Sequence, residues 1–115
     1  VLAAIDARMG EIYVEAYRLE QGLMVGTGEE QVLTPAQFLD SSADRWQLGV
    51  GSAFVTYAEL MSRVEGQCEA VPFPEARDLL PQALELWRGG LGVAAADARP
   101  VYLRDKVTWQ KLPGR

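Results

Sequence analysis

The chain has 115 residues, a formal charge of −5 and 49% apolar side chains, enough for one core that buries roughly two-thirds of the unfolded surface. It contains no histidine, which excludes, within these residues, a Ser-His-Asp triad, an HExxH zinc site and imidazole acid–base chemistry. No apolar run reaches the ~20 residues that span a bilayer, and the lone Cys68 leaves no disulfide framework and suits a buried thiol in a reducing cytosol.

The chain opens directly on a strand with no initiating Met, as the second half of a larger protein would. Strand one is predicted over Leu2–Ala7, with a tight charged turn around Met9-Gly10. Strand two, Glu11–Leu19, alternates: Ile12, Val14 and Ala16 face one way, Tyr13, Glu15 and Tyr17 the other. Gln21-Gly22 turns the chain into strand three from Leu23 through Val25. Glycines at 26 and 28 interrupt it, with a bulge expected before it resumes at Gln31–Leu33.

Thr34-Pro35-Ala36-Gln37 then reads as a capping box with Pro at the first helical position, opening a short helix whose apolar face is Phe38 and Leu39. Trp46–Gly49 reads as a brief buried strand, followed by the loop Gly49-Val50-Gly51-Ser52. A second capping box, Thr56-Tyr57-Ala58-Glu59, predicts a helix carrying Tyr57, Leu60, Met61 and Val64, with Gly66 as its C-cap. Cys68–Val71 is the fifth expected strand. After Pro72-Phe73-Pro74, a third helix carries Ala76, Leu79, Leu80, Ala83, Leu84 and Trp87 on one stripe. Asp78 as N-cap would leave Pro81 in the tolerant first turn, and Gly89-Gly90 ends the helix.

The order β-β-β-α-β-α-β-α, with right-handed crossovers, gives a mixed five-stranded sheet ordered 3-2-1-4-5 with flanking helices. This is the ribonuclease H-like arrangement, which also forms each half of actin-like ATPase folds. The domain is expected over 1–98. Residues 99–115 form a basic extension: Arg99, Arg104, Lys106, Lys111 and Arg115 against Asp105 leave it at +4, so the body carries −9. Such a tail can touch phosphate or an acidic partner, although solvation alone accounts for it.

A nuclease of this topology gathers carboxylates around two metal ions. Asp6 is well placed at the end of strand one, but Gly49, Val50, Gly51 and Ser52 stand where its partner acid should be. Glu11 reaches the position only from the far side of the turn. The glycine loop could cradle phosphate or ribose with backbone N–H groups, or serve only a tight strand-to-helix turn. Asp6 and Arg8 could equally cap backbone groups around a hairpin. Trp46, Trp87 and Trp109 share no strand face and read as core or interface anchors.

Asp6-Ala7-Arg8-Met9-Gly10-Glu11-Ile12-Tyr13, Gly49-Val50-Gly51-Ser52 and Pro100-Val101-Tyr102-Leu103-Arg104-Asp105-Lys106-Val107 resemble, in that order, the second half of the bacterial TsaB (YeaZ) family. The resemblance spans essentially the whole chain. It implies one ribonuclease H-like half of an actin-like ATPase fold, and a cytoplasmic role in making threonylcarbamoyladenosine beside the anticodon of tRNAs that read ANN codons. It further implies an inactive paralogue of the ligating enzyme TsaD, without that enzyme's metal-binding histidines, that scaffolds TsaD with TsaE joining the complex. The family's glycoprotease or M22 peptidase label is inherited from TsaD.

By the same resemblance, Asp6, Arg8 and Gly10 occupy the turn that approaches nucleotide phosphate, and Gly49, Gly51 and Ser52 match a degenerate adenosine motif. Val50 separates glycines that are adjacent in nucleotide binders. The implied site is vestigial, with weak ATP or ADP binding in the full-length complex, no catalytic residue and no metal ligand. TsaD and TsaE would be met mainly through the first half, tRNA only indirectly, and apolar surface left by a missing half would favour a homodimer. The alternative is half of an ATP- or metal-dependent enzyme, kinase- or glycoprotease-like; a third reading is nucleic-acid binding through the tail.

Overall fold

The computed structural model describes residues 1–69 and 71–104. The extension beyond Arg104, with Asp105, Lys106, Val107, Trp109, Lys111 and Arg115, lies outside the described residues, as does Ala70 of the expected fifth strand.

Alternation sets the first hairpin. β1 (Leu2–Asp6) pairs antiparallel with β2 (Ile12–Glu20) from Leu2↔Ala16 to Asp6↔Ile12. Leu2, Ala4, Ile12 and Val14 lie buried on one face while Tyr13 is exposed, as a period of two requires. Gln21 and Gly22, both at positive φ, turn the chain into β3 (Leu23–Gly26). The expected bulge is instead a break into two strands. β3 pairs the outer half of β2, and β4 (Gln31–Leu33) returns to pair Ile12–Val14. Gly26 ends β3 against Glu15, whose carboxylate would have to shift to admit a Cβ there.

The first capping box forms in full. The Gln37 amide donates to Thr34 Oγ1 at 3.2 Å, and the Thr34 amide donates to Gln37 Oε1 at 2.9 Å, satisfying two orphan donors of α1 (Pro35–Ser41). α1 crosses over to β5 (Trp46–Val50), which runs parallel to β1, and Phe38 of the helix stacks on Trp46 at 5.9 Å.

The second capping box does not form. α2 is a single turn, Ala53–Thr56, continued by a 3-10 segment, Ala58–Arg63. The Thr56 hydroxyl turns back to the Ser52 carbonyl and the Asp6 carboxylate, both at 3.4 Å, rather than forward to a helix amide. A 3-10 segment repeats every three residues, so Leu60 is fully buried while Met61 is exposed. The Arg63 Nη2 donates to the Leu39 carbonyl at 2.5 Å, tying this segment to α1.

Val64 already belongs to β6 (Val64–Cys68), so the fifth strand begins four residues earlier than expected. Gly66 sits in the parallel ladder opposite Leu48, not at a helix end. β6 is an edge strand whose Glu65 and Gln67 dilute the apolar signal. Cys68, expected to be buried, is half-buried at its end. The sheet order is β3-β2-β1-β5-β6, with β4 beside β2: the predicted ribonuclease H-like order, with strand three divided.

α3 (Leu80–Arg88) follows a 3-10 turn, Ala76–Leu79. Pro81 sits in the first helical turn, as the late start requires, but Asp78 lies inside the preceding turn instead of capping. Gly89 donates to the Glu85 carbonyl at 2.9 Å and Gly90 takes φ +72°. The apolar stripe of α3 is exposed, Trp87 included at 74%. The core lies wholly under the earlier elements, around Leu2, Ile12, Phe38, Phe54, Leu60 and Val64. Leu60→Ala therefore lowers the unfolding free energy by about 2–5 kcal/mol, and Leu84→Ala by less than about 0.5 kcal/mol, as measured by urea titration.

Candidate functional site

Two loops meet at the carboxyl ends of β1 and β5. The first is the β1–β2 turn, closed by Ala7 N–H to the Glu11 carbonyl at 2.9 Å and Glu11 N–H to the Arg8 carbonyl at 3.1 Å. Arg8, Met9 and Gly10 take φ of 61°, 57° and 76°. Two consecutive non-glycine residues in the left-handed region cost roughly 1–2 kcal/mol each, so surrounding contacts must hold them there.

Asp6 supplies one such contact: its Oδ1 accepts from the Arg8 amide at 2.9 Å. Its Oδ2 receives the Thr56 hydroxyl at 3.4 Å, and its own amide donates to Ser52 Oγ at 3.0 Å. The Ser52 hydroxyl thus serves β1 and leaves α2 without a side-chain cap. Withdrawal from water, and then the Asp6 carboxylate, hold the Tyr57 phenol above its ordinary value.

The glycine loop is shaped by packing. A Cβ at Gly49 would stand 2.6 Å from the Phe54 ring. Gly51 has φ +108°, and a Cβ there would overlap the Ala4 carbonyl oxygen and stand 2.9 Å from its carbon. The Gly51 amide donates to the Val71 carbonyl at 3.1 Å. Both glycines therefore let β5 and its loop approach β1 and α2 closely.

Of the six residues singled out in the sequence, Asp6 and Ser52 meet directly. Gly49 and Gly51 lie beside them in the same junction. Arg8 and Gly10 sit on the exposed tip of the turn, and the Arg8 guanidinium makes no ion pair among the described residues. No group of three Cys, Asp or Glu side chains among the described residues is placed to hold a metal ion.

Arg104 completes the turn from the other end of the chain. Its Nη2 donates to the Ala7 carbonyl at 3.1 Å, the Arg8 carbonyl at 3.4 Å and Glu11 Oε2 at 2.5 Å. Its guanidinium carbon lies 5.9 Å from the Tyr13 ring centroid, within cation–π range. The described part of the basic extension is thus docked on the sheet face opposite the core. Beside it runs an open groove of about 450 Å³, lined by Ile5, Tyr13, Tyr17, Val101 and Tyr102. In that groove, withdrawal from water and a hydrogen bond to Glu15 push the Tyr17 phenol well above its ordinary value.

Periodicity carried no sign of Arg104, Glu11 or Thr56 as partners of this turn. The strongest available signal was Arg104 standing inside the Pro100–Val107 motif. Gly51→Ala is expected to cost about 3 kcal/mol or more, since it adds overlap to backbone strain. Gly10→Ala, with open space around it, costs only about 1–2 kcal/mol. Urea titration of the two variants checks the order; equal losses contradict it.

No protein-family model matches the chain. It is 40% identical over 121 residues to the tRNA threonylcarbamoyladenosine biosynthesis protein TsaB of Escherichia coli (strain K12), covering 100% of this chain and 52% of that protein. It is 32% identical over 123 residues to the protein of the same name from Haemophilus influenzae, again covering 100% of this chain and 52% of the relative. Solved structures share its fold, two of them as follows. One, a protein with similarity to the peptidase YEAZ from Pseudomonas aeruginosa, has TM-score 0.73 and 39% identity over 90% of this chain and 48% of its own. The other, YeaZ from Pseudomonas aeruginosa, has TM-score 0.67 and 36% identity over 88% of this chain and 48% of its own. The chain spans about half the length of these relatives. The chain is similar over its whole length to about half of the TsaB/YeaZ proteins, which supports reading it as a C-terminal fragment of that kind.

Proposed function

We propose that this chain is a non-catalytic scaffold portion of a cytoplasmic protein that supports tRNA N6-threonylcarbamoyladenosine modification. It would act by assembling with the catalytic subunit TsaD and the ATPase TsaE, meeting tRNA only indirectly. The observation that carries the reading is the 40% identity, over the whole chain, to a protein of threonylcarbamoyladenosine biosynthesis. The site's chemistry agrees with it. Both Asp6 carboxylate oxygens accept hydrogen bonds from the chain itself, Glu11 is paired with Arg104, and the chain brings no imidazole to a metal.

Nucleotide binding at Asp6, Arg8, Gly10, Gly49, Gly51 and Ser52 is proposed to be vestigial. The Gly51 amide is already engaged by Val71, and the two glycines answer the packing of Phe54 and Ala4. Half of an ATP- or metal-dependent enzyme, kinase- or glycoprotease-like, is the second reading; the similarity of the Pseudomonas relative to a peptidase favours it.

The test is complementation of a TsaB-depleted bacterium with the full-length protein that carries this chain. Threonylcarbamoyladenosine, quantified by mass spectrometry of tRNA nucleosides, is expected to return to the level given by the host's own TsaB. Depleted levels despite normal expression contradict the role.

A further inference from the structure

We propose that Arg104 is a clasp: a positioning residue that holds the β1–β2 turn in its left-handed conformation and makes the shape of that turn conditional on the C-terminal segment. The turn is intrinsically strained at Arg8 and Met9. Its own ladder supplies two backbone hydrogen bonds, and Asp6 supplies one more. The remaining polar contacts on its inner edge, at the Ala7 and Arg8 carbonyls and the Glu11 carboxylate, all converge on one nitrogen of a residue 93 to 97 positions away.

The Arg104 side chain is only 17% exposed, so water competes weakly for these contacts and their charge-assisted character is kept. Its partners are mostly backbone carbonyls, which present an acceptor in any sequence. What Arg104 reads is therefore the path of the backbone through the turn.

The Asp6 side of the turn is held separately, through Ser52 and Thr56. Loss of the clasp should accordingly loosen Arg8–Glu11 while the β1–β5 junction stays closed. Val101 and Tyr102 are 76% and 78% exposed, and the half-buried Leu103 on the groove is the main apolar contact beside Arg104, on the sheet face away from the core. The clasp is polar, and it can be removed without opening the core.

Hydrogen exchange in the full-length protein tests this. The reporting amides are those of Arg8 and Glu11, which bond within the turn. The controls are the amides of Tyr17 and Tyr57, which donate to the Val1 and Ala53 carbonyls, each at 2.8 Å. Arg104→Met keeps the apolar stem beside Tyr13 and removes the donors. It is expected to speed exchange at Arg8 and Glu11 by roughly tenfold, the worth of one charged hydrogen bond, and to leave both controls unchanged. Arg104→Lys, whose ammonium can occupy the Nη2 position, is expected to restore rates to within about threefold of the parent.

Parental rates at Arg8 and Glu11 in the Met variant overturn the proposal, as does a rise shared equally by all four amides. If the Met variant does not fold, Glu11→Gln is read by the same four amides. A selective rise at Arg8 and Glu11 of roughly threefold is then expected, and no rise, or a uniform one, overturns the proposal.

Discussion

The fold depends on how closely β1 and the loop after β5 approach each other. Only two residue pairs, Leu2↔Gly49 and Ala3↔Val50, join these strands in register, yet they connect the antiparallel meander to the crossover half. The joint is extended past the ladder by Gly51, whose missing side chain admits the Ala4 backbone. The hydrogen bond from the Asp6 amide to Ser52 Oγ extends it further. Parallel pairing this short is weak by itself. Glycine, serine and aspartate at the strand ends supply the contacts that the ladder lacks.

That arrangement explains how residues with the look of a ligand site come to serve the polypeptide. Asp6, Ser52 and the glycines stand where strands end and helices begin, the place at which open α/β sheets bind ligands. Here the hydroxyl, both carboxylate oxygens and the Gly51 amide are met by groups of the chain itself. Each of these contacts positions backbone or closes the junction. The scaffold role proposed above would call for a rigid junction of this kind.

Local signals were legible wherever the determinants were near in sequence. Alternation along Ile12–Tyr17, the reciprocal Thr34–Gln37 cap and the helix stop at Gly89-Gly90 each involve neighbours within a few residues, and each appears as expected. The Thr56 cap failed because a distant group, Asp6, lies within reach of the hydroxyl. The stripe at Tyr57, Leu60, Met61 and Val64 suited an α-helix, but only Tyr57 and Leu60 keep the three-residue spacing of the 3-10 segment, which delivers Leu60 to the core before Val64 enters a strand. The fifth strand was expected four residues too late because an edge strand need not be apolar, and Glu65 and Gln67 hide its start. Arg104 and Glu11 lie too far apart in the chain for any pattern to join them. Asp6 and Ser52 were legible as a pair of positions, at the ends of adjacent parallel strands, but their hydrogen bond was not.

The most direct test of the β1–β5 junction is a nuclear Overhauser spectrum of the isotopically labelled chain. The account predicts a strong cross-peak between the Asp6 amide proton and the Ser52 β-protons, as a 3.0 Å hydrogen bond from that amide to Oγ requires. An assigned, folded spectrum with the Leu2–Gly49 strand contacts present and this cross-peak missing would contradict it.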